Sequence, residues 1–134
     1  LSRKSEEIMA YALSLKQPWA ELILCKKKTI ETRRWNTEFR GGFFIHASKT
    51  IDKEACDKLG IESETLITGA IIGKATLVDI KEYYSEEQFM KDDTKHKAGF
   101  YGFARPIFGF ILDNVERIEP IPQKGALKFF EVNL

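Results

Sequence analysis

Large apolar residues alternate with small or polar ones from Tyr11 to Leu15, a period of two that predicts a strand. The pattern stops at Gln17-Pro18, where a proline is suited to open a helix. Trp19, Leu22, Ile23 and Lys26 then recur at helical spacing, predicting a short helix to about Lys27. Lys28 to Trp35 reads as a second strand, in which Thr29, Ile30 and Thr32 favour extended backbone. Gly41-Gly42 marks a turn and Phe43 to Ala47 a buried strand. Asp52 to Leu59, stopped by Gly60, predicts a helix. Gly69 to Tyr83 is a long β-rich run in which Gly73 signals a bulge or bend. Ser85 with Gln88 three positions on resembles a capping box for a helix to about Lys91, and DDTKHKAG reads as a loop. A further β-rich stretch, Tyr101 to Ile118, is broken at Pro106 and at Asp113-Asn114. Pro120 and Pro122 force an extended passage, and Phe129 to Val132 is placed to close the sheet.

Strands outnumber helices, without a regular strand–helix alternation. The expected class is therefore α+β, mainly β: a small curled sheet or barrel with two to four short flanking helices, since closure removes exposed edges. No repeat, low-complexity tract or linker divides the chain. One domain over 11–134 is expected, preceded by a flexible polar segment over 1–10. With 134 residues, 43% of them hydrophobic and 31% charged, the chain can bury a core without disulfides or a structural metal. No apolar run is long enough to span a membrane, and LSRKSEEIM lacks the apolar stretch of a signal peptide. Cys25 and Cys56 lie far apart, with no Cys or His at metal-ligand spacing. The expectation is a reduced, cytoplasmic monomer with no metal and no cofactor.

A net charge of +1 conceals an uneven distribution. Residues 1–49 carry ten Lys/Arg against five Asp/Glu, and the remainder eleven against fifteen. A basic first third fits either a localised anion-facing surface or a solvated charged face.

Chemistry is densest in KQPWAELILCKKKTIETRRW, from Lys16 to Trp35. On an extended backbone Glu31, Arg33 and Trp35 share one face, and Ile30 and Thr32 take the other. Lys28 stands at the mouth of the strand. Arginine offers a planar donor fork, lysine a point charge, tryptophan a stacking plate and glutamate an acceptor for amino groups, a set suited to a nucleotide. Glu31 and Arg33 pairing with each other on a solvated strand, with Trp35 capping the core, fits the same spacing.

These residues carry a resemblance. Gln17-Pro18-Trp19 followed by Lys28-Thr29-Ile30-Glu31-Thr32-Arg33 is similar to the ASCH domain family of the PUA-like superfamily, whose hallmark is Gly-x-Lys-x-x-Glu-x-Arg after a Gln-Pro-Trp helix opening. The glycine is Lys26 here, which implies a differently shaped turn. Trp35, Arg40-Gly41, FFIHAS, GAIIGKATLVDI and the segment around Lys124-Gly125 extend the likeness over residues 11–132. It implies a PUA-like β-barrel with a cleft floored by the motif, in a family generally thought to bind RNA or nucleotides. Lys28, Glu31 and Arg33 carry over as cleft residues, with Gln17 and Trp19 beside them.

Some small members that resemble this motif are amidohydrolases of acylated cytidine, with a nucleophilic threonine where this chain has Glu31. A carboxylate cannot play the hydroxyl's part. Others are described as ribonucleases. If this chain were an enzyme, Lys28 and Glu31 are the candidate catalytic pair, with Glu31 expected to raise the lysine's pKa and so oppose its use as a base.

His46 shares parity with Ser48 at the end of a buried strand, so imidazole, hydroxyl and the neighbouring Lys49 can rim the same cleft, or His46 can be a satisfied structural residue. His96 is expected to be solvent-exposed. Phe100, Tyr101, Phe103, Phe108 and Phe110 read as core packing rather than a stacking platform. Lys124 can reach an anion from its loop. The reading is an RNA- or nucleotide-binding module, with DNA possible. Lys28, Arg33, Arg34 and Lys49 would meet phosphates, Trp35 or Trp19 would stack a base, and Glu31 with His46 would hold a base edge. The alternative is a hydrolase acting on a modified nucleoside or on RNA.

Overall fold

A computed structural model describes residues 9–134. Its elements in chain order are β1 (Met9–Gln17), α1 (Trp19–Leu24), β2 (Ile30–Arg33), β3 (Gly41–Ile51), α2 (Lys53–Leu59), β4 (Ala70–Glu82), α3 (Glu86–Lys91), α4 (Asp93–His96), β5 (Phe108–Pro122) and β6 (Phe129–Asn133). Of the segment expected to be flexible, residues 1–8 lie outside the described residues, and β1 begins at Met9.

The strands form one mixed sheet in the order β2-β5-β4-β3-β1-β6. Only β1 and β3 run parallel, with α1 and β2 in the connection between them; the other neighbours are antiparallel. Alternation decides which face is buried. Leu13 and Leu15 of β1, Phe43, Ile45 and Ala47 of β3, and Ala75 and Leu77 of β4 turn inward, with Phe110 and Leu112 of β5 completing the floor. The apolar stripe of α1, from Trp19 to Leu24, plugs this concavity.

The sheet curls strongly without closing. β2 and β6 stand at opposite ends of the ladder order, so no strand pairing seals the barrel, in contrast to the closure anticipated above. Side chains bridge the gap instead. Trp35 meets Phe129 edge-on at 6.1 Å, and Arg33 Nη2 donates to the Ser14 carbonyl at 2.8 Å.

Two backbone positions, a bulge and a turn, show how local conformation is met. At Gly73 the β3–β4 and β4–β5 registers both slip, as expected of a bulge. A Cβ there would come within 2.3 Å of Leu24 Cδ2 and 2.8 Å of the Glu116 carbonyl, so only glycine lets α1 pack onto the sheet. Lys26, in the place of the family's glycine, adopts the left-handed region at φ 67°. The helix there ends with Lys27 and Lys28 both donating to the Leu22 carbonyl. The turn thus keeps a glycine-like conformation in spite of its side chain.

The helix signals hold where a cap supports them. Asp52 accepts from the Ala55 amide at the start of α2, and Gly60 closes it at φ 69°. Ser85 accepts from the Gln88 amide, while Gln88 Oε1 accepts from the Tyr84 amide. The segment read as a loop, DDTKHKAG, instead contains α4. His96, expected in solvent, is wholly buried. The reason is tertiary: its ring stacks on Phe89 at 4.2 Å, in a small second core with Tyr83, Ala98 and Ile107.

Candidate functional site

The alternation of β2 separates its side chains as the spacing predicts. Glu31 and Arg33 reach toward β1, while Thr32 and Arg34 border a different cavity, of about 370 Å³, with Phe89 and Tyr101, which Arg33 also edges. Glu31 is nearly buried and is held from both sides: Arg33 Nε donates to Oε2 at 2.8 Å, and Lys28 Nζ lies 3.4 Å from Oε1. The motif's three charged groups therefore converge, as the spacing suggested.

They do not share one surface. Lys28 is 2% exposed, and its ammonium donates to the carbonyls of Ile30 and His96, each at 2.7 Å. Trp19 covers it, with Nζ 4.9 Å from the ring centroid. Burial holds the Lys28 pKa below the ordinary lysine value, against the opposing pull of Glu31. The expectation that Glu31 would set the direction is thus corrected: desolvation outweighs the carboxylate. Every ammonium proton has an acceptor, so Lys28 acts from behind Glu31 and ties α4 to β2.

In front of these groups lies a cleft. A cavity of about 290 Å³ is lined by Ser14, Lys16, Trp19, Glu31, Arg33, Ser48 and residues 126–128. Beside it, a cavity of about 410 Å³ is lined by Ser14, His46, Ser48, Lys49, Gly69 and residues 123–126. The two share Ser14, Ser48 and Ala126, so they form one trough under the loop joining β5 to β6. Lys16, Arg33, Lys49, Lys124 and Lys128 border it against the single carboxylate of Glu31. Among the described residues, only Arg33 of these five cations is in an ion pair.

The remaining candidates divide accordingly. His46 is 2% exposed and bridges Ser14 Oγ, 2.5 Å from Nδ1, and the Gln123 carbonyl, 2.6 Å from Nε2. Ser48 borders both halves of the trough, and Lys49 and Lys124 stand on its rim. Trp35 lies behind the cleft against Phe110 and Phe129, with Lys128 Nζ 5.5 Å from its ring centroid. Arg34 is drawn away, donating to the carbonyls of Ala104 and Pro106. Gln17 is wholly buried, its amide donating to the Ile67 carbonyl and its oxygen accepting from the Glu21 amide, so it latches the start of α1.

Sequence reasoning missed Ser14, Lys16, Gln123 and Lys128. Ser14 and Lys16 did carry a signal, as the polar positions alternating with Leu13 and Leu15. Gln123 and Lys128 carried none, because only the fold of their loop brings them back over β1.

The six-stranded mixed sheet, plugged by α1 and edged by a trough at the Lys28–Arg33 segment, is an α+β domain built mainly of strands. The ASCH domain family model matches residues 13–122, and the chain belongs to that family. No curated protein sequence matches it. Among solved structures it is similar to the crystal structure of ASCH from Zymomonas mobilis, at TM-score 0.60 and 18% identity over 83% of this chain and 71% of that one. Two variants of that protein are similarly placed. One, with a tyrosine changed to phenylalanine, has TM-score 0.59 and 18% identity over 83% of this chain and 73% of the other. The second, with a serine changed to alanine, has TM-score 0.60 and 18% identity over 83% and 72%. These likenesses establish a shared fold.

Proposed function

We propose that the trough binds single-stranded RNA or a nucleotide. The observation that supports this is its charge: Lys16, Arg33, Lys49, Lys124 and Lys128 face one carboxylate in a groove with an indole edge. Flexible lysines on a rim suit phosphates, which neutralise them at little desolvation cost. Glu31, held in place by Lys28 and Arg33, presents a fixed acceptor to the amino edge of a base. Trp19 presents only an indole edge to the groove, its faces being taken by Lys28 and Phe100, and unpaired nucleotides can splay into such a groove where a duplex cannot. ASCH domains in general are nucleic-acid binding or hydrolase-like, which agrees with this reading.

The test is fluorescence anisotropy with a labelled single-stranded RNA across a salt series. Two to four phosphate contacts give a slope of about −1.4 to −2.8 in log affinity against log salt. The double variant Lys49→Glu, Lys124→Glu is expected to weaken binding at least about tenfold at low salt, through the loss and reversal of two phosphate contacts. Absence of binding at low salt, or a double variant equal to the parent, removes the reading.

A further inference from the structure

We propose that Ser14 and His46 form a nucleophile and base pair that hydrolyses a carboxylic ester carried by a phosphate-bearing alcohol, such as an acylated ribose of a nucleotide. The phosphate half of that substrate rests on the cleft reading above; the ester half rests on the pair itself.

The hydrogen bonds assign the protons. A backbone carbonyl only accepts, so the 2.6 Å contact from Nε2 to Gln123 puts a proton on that nitrogen. In the neutral ring Nδ1 then holds the lone pair, and the Ser14 hydroxyl, 2.5 Å away, donates to it. A hydroxyl donating to a lone-pair nitrogen, with the opposite nitrogen held by a third group, is the arrangement that activates a serine. Here the Gln123 carbonyl takes the orienting place that a carboxylate fills in other hydrolases.

Position supports the chemistry. Ser14 is only part-buried and belongs to both halves of the trough. Its own carbonyl accepts from Arg33 Nη2, which fixes the Ser14 backbone where it borders the trough. The Gly125 backbone lies over the pair so closely that a Cβ would sit 2.6 Å from Ser14 Oγ and 3.1 Å from His46 Nδ1. The loop therefore roofs the pair, leaving approaches from the two cavities on either side.

The reaction balances with water alone. Ser14 Oγ bonds to the ester carbonyl carbon as its proton passes to Nδ1, and the carbonyl π electrons move onto oxygen. Collapse breaks the bond to the alcohol oxygen, which takes the proton from Nδ1 and leaves. Water then attacks the acyl-serine, giving its proton to Nδ1. The Ser14–acyl bond breaks, Ser14 recovers the proton, and a carboxylic acid departs.

The whole chain is treated with a fluorophosphonate probe and the adduct located by peptide mass spectrometry. Hydrolysis of 3′-O-acetyl-AMP is followed in parallel, against 3′-O-acetyladenosine. The adduct is expected on Ser14, absent from Ser14→Ala and reduced at least tenfold in His46→Gln. Turnover of 3′-O-acetyl-AMP is expected to fall at least a hundredfold in Ser14→Ala. Lys49→Ala with Lys124→Ala should raise KM for the phosphorylated ester only. Gly125→Ala should lower the labelling of Ser14 by pressing on the pair. Parent protein with a native circular dichroism spectrum that gains no Ser14 adduct, or labelling that His46→Gln leaves unchanged, overturns the proposal. RNA binding measured on the same sample separates the two readings. Binding without Ser14 chemistry ends this one alone, and Ser14 chemistry without RNA binding ends the cleft reading alone.

Discussion

The two histidines of this chain are both buried and both bonded through each ring nitrogen, yet they serve different ends. His96 takes its partners from nearby backbone. Its Nδ1 accepts from the Ala98 amide at 2.9 Å, so Nε2 carries the proton it gives to the Phe89 carbonyl at 2.8 Å. The ring lies flat on Phe89, and its own carbonyl receives Lys28. His46 has one backbone partner, and its other is a side-chain hydroxyl at the border of a cavity. A histidine wholly satisfied by backbone closes a corner of the fold. One whose partner is a hydroxyl at the border of a trough leaves that corner of the fold next to open space.

The sharpest way to break this comparison is to delete each ring. His96→Ala removes a stacked side chain and strands an amide and a carbonyl, and about 3 kcal/mol of stability should be lost. His46→Ala should cost about half as much, because water in the trough can reach its former partners. Urea denaturation of both variants measures this, and equal costs would erase the distinction.

Acid titration gives the next largest effect. Burial, chiefly, holds the His96 pKa below its ordinary 6.5, so the folded ring stays neutral while the unfolded ring takes a proton. Its contribution is therefore complete above pH 6.5 and drains away as pH falls from there to the folded value. The loss should reach at most about 1.4 kcal/mol per pH unit, and His96→Gln should flatten that part of the curve. Asp92 acts in the same corner at lower pH. Burial alone would raise it, but hydrogen bonds from Lys81 and Tyr83 prevail and hold it below the ordinary carboxylate value. Its contribution is present above 3.8 and is lost as pH falls through the lowered value.

The cleft side should behave in the opposite manner. Lys49→Glu with Lys124→Glu, which cuts RNA affinity, should move stability by no more than about 0.5 kcal/mol, since both side chains are solvated. A cooperative loss of stability there would show the rim to be structural. A modest gain is expected at the turn leading into the motif. Lys26→Gly relieves a left-handed lysine at φ 67° and should stabilise by about 0.5–1 kcal/mol after the added chain entropy is counted, measurable as a raised urea midpoint.

Much of this molecule was written in local pattern. The period of two in β1 and β2, the glycine at the β4 bulge and the caps at Asp52 and Ser85 each act within a few residues, and each appears where the chain indicates. The convergence of Lys28, Glu31 and Arg33 was legible for the same reason, because strand parity is a local property. What spacing could not convey was depth. Lys28 is buried because His96 offers it a carbonyl from 68 positions away, and Ser14 meets His46 from 32 positions away. Arg34 leaves the cleft because Ala104 and Pro106 hold it elsewhere. Sequence alone determined the alternation of β1 and β2, the caps and the family, but the turn expected at Gly41-Gly42 lies inside β3, and β5 starts only at Phe108 and runs unbroken through Asp113-Asn114. The curl of the sheet decided which charges face the trough and which stay behind it. Side-chain direction follows from the adjacent backbone, whereas burial depends on every segment that folds back over it.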